Sequence, residues 1–471
     1  MASAWVRPAF GIILGTLLAA CGGSGGSSGP GSAGPPAPPP EPTEPGGAAS
    51  DTLPALVERA TPVEFQGVTV VPMDGPTLMP DFTVVVRDGR ITQLGPVQDV
   101  TVPDDAVVIE GEGRYLMPGL ADMHVHLVRQ ENLTLLLANG VTTVRNMWGS
   151  PLAVLDWREA VARGELPGPR IYSASRGLDG SPPAWPETIV VEDAAAARLA
   201  VEREAARGFD FIKVYNSLNR EAYDAIVERA RQLGVPVVGH VPRAVGVDHV
   251  LDSGQATIEH LSQYPVQLEG EAFQAFVNRH AVAGTWACPT MIVRISFVNA
   301  TDAARLEARP EMRYVHPDDR ANWRPVSGAS PMSVQREASR QRGRMIRALK
   351  DSGAGILLGT DSWISYVIHG FSIHDELQLL VEDAAFTRYE ALRAGTADAA
   401  RAVGAEGEWG TIAPGLAADL LLLDANPLDE LANLRRRAGV MAGGSWFSEA
   451  ELRRRLEALA ERYESGEFSG Q

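Results

Sequence analysis

Cysteine is nearly absent: 471 residues contain only Cys21 and Cys288. If Cys21 is engaged elsewhere, no disulfide remains, and stability has to come from core packing and bound metal. Clustered basic residues are also missing. With a formal charge of −17, the chain is a poor partner for nucleic acid or an anionic lipid surface, both of which reward grouped Lys and Arg. Long apolar runs are lacking as well; the one at 9–20 is too short to cross a bilayer comfortably, and no second run is longer. No glycine-rich dinucleotide or phosphate fingerprint follows a strand, which weakens an open, doubly wound nucleotide-binding sheet. What is present is 45% hydrophobic and 21% charged residues, enough to bury at least one large core. Length alone suggests two or three domains, although a barrel could use most of the chain.

The N-terminus reads "MASAWVRPAFGIILGTLLAAC", with Arg7 as a positive flank, a short apolar stretch and small residues before Cys21. This is the pattern of an export signal. Its ending, Leu18-Ala19-Ala20-Cys21, resembles the lipobox of bacterial lipoproteins, which makes Cys21 the expected lipidation site. The following "GGSGGSSGPGSAGPPAPPPEPTEPGGAAS" cannot bury a core and suits a flexible tether over 22–50. The expected localisation is therefore an exported, membrane-anchored lipoprotein facing the periplasm or cell surface, touching membrane only through its lipid.

Residues 63–118 carry short alternating β patterns, with Asp88-Gly89 as a hairpin signal. A matching β pattern returns over 405–447, so the two segments are expected to build one small composite β-sandwich. Over 119–404 the rhythm changes to helix followed by short buried strand. Helix patterns at 192–207, 220–233, 247–253, 271–283 and 333–352 precede or alternate with "FDFIKVY", "VPVVGH", "ATIEH", "TWACPT" and "AGILLGTD". The expected fold class is α/β, a closed (β/α)8 TIM-like barrel. Residues 296–330 interrupt the rhythm as an excursion over one barrel face. The last stretch, 448–471, reads as a charged tail, a solvated helix or frayed end.

Several strands end on residues able to bind metal. In "ADMHVHL", His124 and His126 lie two apart and share one face of a strand. "VPVVGH" ends on His240, "ATIEH" on His260 and "AGILLGTD" on Asp361. In a barrel these C-terminal strand ends converge on one mouth. "GFDFIKVYN" sets Lys213 on the face of Phe209 and Phe211, where an ammonium is costly unless paired or altered. Pairing with Asp210 or snorkelling to water is the bland explanation. A carbamate, formed when CO2 adds to the neutral amine, would instead give an anion able to bridge two metals. His249, His280 and His316 have no such placement and read as structural or exposed.

Together, "PGLADMHVHL", "FIKVYNS", "VVGHV", "TIEHL", "LLGTDS" and "GTIAPGLAADLLLLDANPLD" resemble the amidohydrolase superfamily, in its imidazolonepropionase-like and Xaa-Pro dipeptidase-like branch. The resemblance spans about 63–447. It implies a metal-dependent barrel with a composite β-sandwich and two divalent metal ions, zinc foremost. His124, His126 and Asp361 would hold the more buried ion, His240 and His260 the other, with carboxylated Lys213 and a hydroxide between them. It further implies hydrolysis of an amide or peptide C–N bond in a small molecule or short peptide, with Asp361 as the catalytic proton shuttle.

On the active-face loops, Tyr215, His374 and the Trp185 region are candidate substrate contacts; Ser372 as a helix start is the competing reading of "HGFSIHDEL". Dipeptidase-like relatives carry an aromatic residue where "HVPRAV" has Pro242, which departs from dipeptide specificity. Arg243 beside it could meet an anionic substrate end. A binuclear lactonase, a cyclic-amide hydrolase or deaminase, and a catalytically silent surface-binding lipoprotein are the alternatives. Lys213 opposes the one-metal deaminase form, and no expected ligand is missing, which opposes the silent protein. Oligomeric state is left open.

Overall fold

The computed structural model describes residues 55–149, 153–323, 325 and 329–466. Cys21, the leader and the tether lie outside the described residues.

The β-rich ends of the chain form one nine-stranded sheet. Its order is Leu56–Val57, Ser445–Ser448, Arg437–Ala442, Leu420–Leu423, Tyr115–Pro118, Val63–Val70, Met79–Arg87 and Arg90–Pro96, with Val107–Glu110 also paired to Val63–Val70. The strands from the two ends meet where Leu420–Leu423 runs antiparallel to Tyr115–Pro118. Asp88 (φ +52°) and Gly89 (φ +75°) form the two-residue turn between Met79–Arg87 and Arg90–Pro96; positive φ at both positions matches the twist of the flanking strands. Phe65, Val84, Ile91, Ile109, Leu422 and Trp446 are buried within this part of the core. The Phe65 and Trp446 rings meet edge to face at 5.5 Å.

The intervening residues are mixed α/β with parallel strands. Leu120–Val125, Val141–Asn146 and Arg170–Ser173 form a three-stranded sheet. A six-stranded sheet orders Ile189–Val190, Leu178–Asp179, Ile212–Val214, Val237–Gly239, Thr257–Glu259 and Trp286–Cys288. A single bridge, Ala174 to Phe211, links the two sheets. The expected strand in "AGILLGTD" forms no ladder: it contributes only bridges, Ala287 to Ile356 and Val125 to Ser362. Asp361 turns to φ +62°, so the segment leaves extended geometry as it reaches the site; a Cβ at Gly359 would stand 2.5 Å from Cys288 Sγ, so glycine is needed there for close packing.

Helices follow the sequence periodicity closely. Arg220–Leu233 buries Ala222, Tyr223, Ile226 and Ala230 on one face, starts where Asn219 accepts from Ala222 N at 2.8 Å, and ends on Gly234 in the left-handed region. Val247–Ser253 also matches, while the others shift by a residue or two to Ala194–Ala206, Gly270–Ala283 and Met332–Asp351. The excursion is structured: it forms the helices Ala300–Glu307 and Pro317–Asn322, and Ala303 and Leu306 of the first share a small core with Val298, Trp323, Tyr366 and Ile368. The C-terminal segment is not a frayed tail. Glu449–Ser465 is a helix capped by Ser448, which buries Leu452, Leu459, Ala460 and Tyr463 while its arginines stay outside. An apolar stripe at helical spacing, hidden among the charges, accounts for its docking.

Candidate metal centre

The parallel strands alternate their side chains between two environments. In Ile212–Val214, Ile212 and Val214 join the main core beneath the helices, whereas Phe211 packs with Met147, Ala174 and Val238 on the opposite face. Lys213 shares that second direction and is only 2% exposed. The same alternation turns His124 and His126 one way at the end of Leu120–Val125. His240, His260 and Asp361 each follow directly at the ends of neighbouring segments. Gly239, at φ +124°, admits Val214 O to within 2.3 Å of where a Cβ would be, so the turn into His240 requires glycine.

These side chains converge. Asp361 Oδ1 lies 2.8 Å from His126 Nε2 and 3.1 Å from His124 Nε2, and its Oδ2 lies 3.9 Å from His260 Nε2. The His260 ring stands 4.6 Å from that of His124 and 5.0 Å from that of His240. His124, His126 and Asp361 form a buried group with the donor spacing of a metal site.

Every imidazole is anchored through Nδ1. His124 Nδ1 meets Glu259 Oε2 at 2.8 Å, His126 Nδ1 meets Trp148 O at 2.7 Å, His240 Nδ1 meets Asn216 Oδ1 at 2.9 Å, and His260 Nδ1 meets Thr290 Oγ1 at 2.6 Å. Donation from Nδ1 leaves the Nε2 lone pairs facing inward, the arrangement metal-ligating histidines adopt. The Nε2 atoms of His124 and His240 are buried without a hydrogen-bond partner. His126 Nε2 and Asp361 Oδ1 are then two acceptors 2.8 Å apart, an arrangement that calls for a cation. The donor set therefore fits divalent metal.

Electrostatics agree with neutral imidazoles. Burial lowers His126, takes His260 down to about 3 and drives His240 well below the usual histidine range. His124 is the exception: burial lowers it, but Asp361 and Glu259 outweigh that and raise it. Burial would raise Asp361, yet His260 and His124 hold it well below the carboxylate range. Burial lowers Lys213 to about 8, favouring the neutral amine compared with an exposed lysine. Asp210 is not its partner; that carboxylate bonds Arg158 at 3.1 Å and Ser173 N at 2.8 Å. Among the described residues no hydrogen bond or ion pair reaches Lys213 Nζ, which lies 5.5 Å from the centre of the Tyr215 ring.

A second layer holds this arrangement, and sequence reading did not find it. Arg145 donates to Glu259 Oε1 and Thr257 Oγ1, both at 2.9 Å, and to Met123 O at 2.7 Å. Asp122 accepts from Thr360 N at 3.0 Å and Thr360 Oγ1 at 2.6 Å, tying the first histidine strand to the segment that carries Asp361. Burial raises Asp122 to about 6. Glu259 stood next to His260 within a quoted motif, and Thr290 within "TWACPT"; nothing local marked either as a partner of a ligand.

The proposed substrate contacts divide. Tyr215 stacks on His240 at 4.0 Å, and its hydroxyl accepts from Trp185 Nε1 at 2.8 Å, so both flank the ligand set. Arg243 is exposed just beyond His240, its backbone N donating to Asn216 O. His374 is a correction. It lies buried on Ser372–Glu382, where its charged neighbours are Arg435 and Arg437, and no contact joins it to the ligands among the described residues. Its helix packs against the 431–435 segment that leads to these arginines. Ser372 opens that helix, and its hydroxyl accepts from Ile368 N at 2.9 Å. His280 meets Tyr264 OH at 2.6 Å, His249 meets Asp224 at 2.5 Å, and His316 accepts from Asp318 N at 3.1 Å.

Residues 115–447 match the Amidohydrolase family. The chain belongs to this family. Among solved structures, this amidohydrolase is similar to a candidate prolidase from Bifidobacterium longum, with 28% identity, a TM-score of 0.68 and coverage of 85% of this chain and 99% of that one. It is also similar to bottromycin amidohydrolase, with 28% identity, a TM-score of 0.70 and coverage of 84% and 90%. Imidazolonepropionase from Methylobacterium nodulans is 28% identical over 135 residues, 28% of this chain and 33% of that protein. Dihydroorotase from Mycobacterium tuberculosis is 50% identical over 44 residues, 9% of this chain and 10% of that protein. The chain thus matches a tenth to a third of the length of these curated relatives. Family membership, with these neighbours, supports a hydrolase acting on carbon–nitrogen bonds.

Proposed function

We infer that the chain is a metal-dependent hydrolase that cuts an amide or peptide bond in a small molecule or short peptide. The observation that carries this reading is the set of four imidazoles tied outward through Nδ1, three of them with Nε2 within 3.9 Å of Asp361 and the fourth, His240, beside His260, together with the buried Lys213. In this reading the parallel strands and bridges close as a (β/α)8 barrel over 119–404, and the nine-stranded sheet belongs to a composite β-sandwich. His124, His126 and Asp361 would hold one divalent ion and His240 and His260 a second, zinc being the first choice for these donors. Lys213 joins the two sites as a carbamate, formed by CO2 adding to the neutral amine with loss of one proton.

Divalent ions held by these residues would supply an activated water and polarise the substrate carbonyl. Asp361 takes a proton at its carboxylate from the attacking water and delivers it to the leaving nitrogen. Tyr215 holds His240 in plane by stacking, and the aromatic side chains beside it limit water around the scissile bond. No side chain is needed as a covalent nucleophile. The chain works, in this reading, as an exported lipoprotein anchored through Cys21.

The test is a hydrolysis screen of dipeptides, N-acyl amino acids and lactones, with and without chelator. Chelator-sensitive cleavage of amides is expected; cleavage of lactones alone, or cleavage that chelation leaves untouched, would overturn the reading.

A further inference from the structure

The segment that carries Asp361 is strained where it leaves the site. Asp361, Trp363 and Tyr366 have φ of +62°, +102° and +67°, a region that side chains rarely adopt and that persists only where the surroundings hold it. Part of that hold lies within the metal centre. Asp361 N donates to His124 O at 2.7 Å, His126 N donates to Ser362 O at 3.0 Å, and His369 Nε2 donates to His126 O at 3.1 Å. Residues 361–371 are therefore bonded to both His124 and His126.

The rest of the hold comes from the excursion. Ser296 Oγ donates to Ser365 O and Arg309 Nη2 to Tyr366 O, both at 2.6 Å. The Tyr314 ring stacks on that of Phe371, with centroids 5.5 Å apart. Further along, Asp319 holds Arg129, three residues after His126, at 3.1 and 3.3 Å. The excursion leans in turn on the C-terminal helix Glu449–Ser465. Arg313 pairs with Glu457 at 3.1 Å and Glu464 at 3.3 Å, Tyr314 OH donates to Glu457 at 3.3 Å, and the Tyr463 ring meets that of His316 edge to face at 5.2 Å. Leu135, Leu459 and Tyr463 form a small core against which Tyr314 and Phe371 pack, and Arg462 pairs with Glu131 at 3.2 Å. The helix thus touches, directly or through one residue, the segments that leave both His126 and Asp361; none of these contacts reaches His240. It also lies beyond the residues 115–447 that match the family, so the match does not account for it.

We propose that the C-terminal helix, acting through Tyr314 and Phe371, positions the His126–Asp361 side of the metal centre. Tyr314 and Phe371 are positioning residues that pass the docking of the helix on to 361–371. The ion pairs of Arg313 and Arg462 join exposed groups and are individually weak, so the ring stack and the apolar contacts supply most of the hold. The inference goes beyond the hydrolase reading and rests on it only where metal is concerned.

The experiment follows amide hydrogen exchange by mass spectrometry, with zinc bound and after chelation, in the wild-type chain, Tyr314→Ala and Tyr314→Phe. The phenylalanine variant keeps the stacked ring and loses only the hydroxyl; melting temperatures confirm that each variant is folded. Tyr314→Ala is expected to speed exchange over 362–371 about tenfold in both states and to leave 237–241 within about twofold, while Tyr314→Phe restores the wild-type rate. Competition with a chelating dye should show zinc binding weakened by about tenfold in Tyr314→Ala and unchanged in Tyr314→Phe. Faster exchange confined to 449–465, equal acceleration of 237–241, or a phenylalanine variant that behaves like the alanine one would overturn the proposal. Should Tyr314→Ala fail to fold, Arg313→Ala severs two exposed ion pairs instead, and about threefold faster exchange over 362–371 is expected, no change overturning the proposal. A wild-type chain that binds no zinc would defeat the metal-hydrolase reading while the exchange comparison still decides this one, so the two failures are distinguishable.

Discussion

At the scale of single residues, the ligands depend on partners that lie far away in the chain. Glu259 holds His124 Nδ1 at 2.8 Å and is itself held by Arg145 at 2.9 Å, with all three side chains nearly inaccessible. Burial would raise the Glu259 carboxyl, but Arg145 and His124 overcome it and keep it ionised. Glu259→Gln removes that charge and changes which group donates to His124. Metal affinity is expected to fall by about 10- to 100-fold, measured by competition with a chelating dye. Glu376 is the opposite case. It accepts from Met291 N at 2.9 Å and Ile292 N at 2.7 Å, and burial raises it to about 8. A carboxyl raised in the folded chain contributes stability fully present below its unfolded value of 4.5 and lost as pH climbs through about 8. Urea unfolding should show wild-type stability falling, relative to Glu376→Gln, between those two pH values. A flat difference would mean that Glu376 is ionised in the fold. At this scale the histidines and Asp361 were legible because each ends a strand pattern, and Lys213 because its charge falls inside a buried one. Glu259, Arg145, Trp148 and Trp363 were not, because their roles arise from contacts across strands or from backbone angles that no local motif encodes.

At the scale of elements, helix boundaries were the most legible feature. Arg220–Leu233 and Val247–Ser253 begin and end where periodicity, Asn219 and the following glycines indicate. The last strand expectation failed because "AGILLGTD" is read as β by its apolar run, whereas the segment pairs only through the isolated bridges at Ile356 and Ser362 and reaches the site with Asp361 in the left-handed region. The C-terminal helix was expected as a solvated helix or a frayed end because charges interrupt its eleven-residue core "AELRRRLEALA", yet its apolar residues recur at helical spacing, and Leu452 and Leu459 are 1% and 4% exposed. Docking of this helix is therefore a claim about packing. Leu459→Ala should lower stability by about 2–3 kcal/mol and Ser448→Ala, which removes the cap on Glu451 N, by about 1 kcal/mol. Thermal denaturation of the two variants checks both; unchanged melting would mean that the helix is only loosely held.

At the scale of the whole molecule, a sheet built from both ends of the chain holds the strands whose ends carry the ligands. This composite origin was legible in the return of β patterning after 405, since Leu420–Leu423 pairs directly with Tyr115–Pro118. The convergence of the ligands followed from the expected parallel arrangement, which the two parallel sheets and the bridge that links them bear out in part. The leader and Cys21 stay an expectation from sequence. The central claim is that one buried lysine joins two metal sites, and metal analysis tests it directly. Protein lacking residues 1–50, purified with bicarbonate and zinc, should carry close to two ions per chain. Lys213→Ala should carry about one or fewer and lose hydrolysis. A Lys213→Ala protein that keeps two ions and full activity would contradict the account.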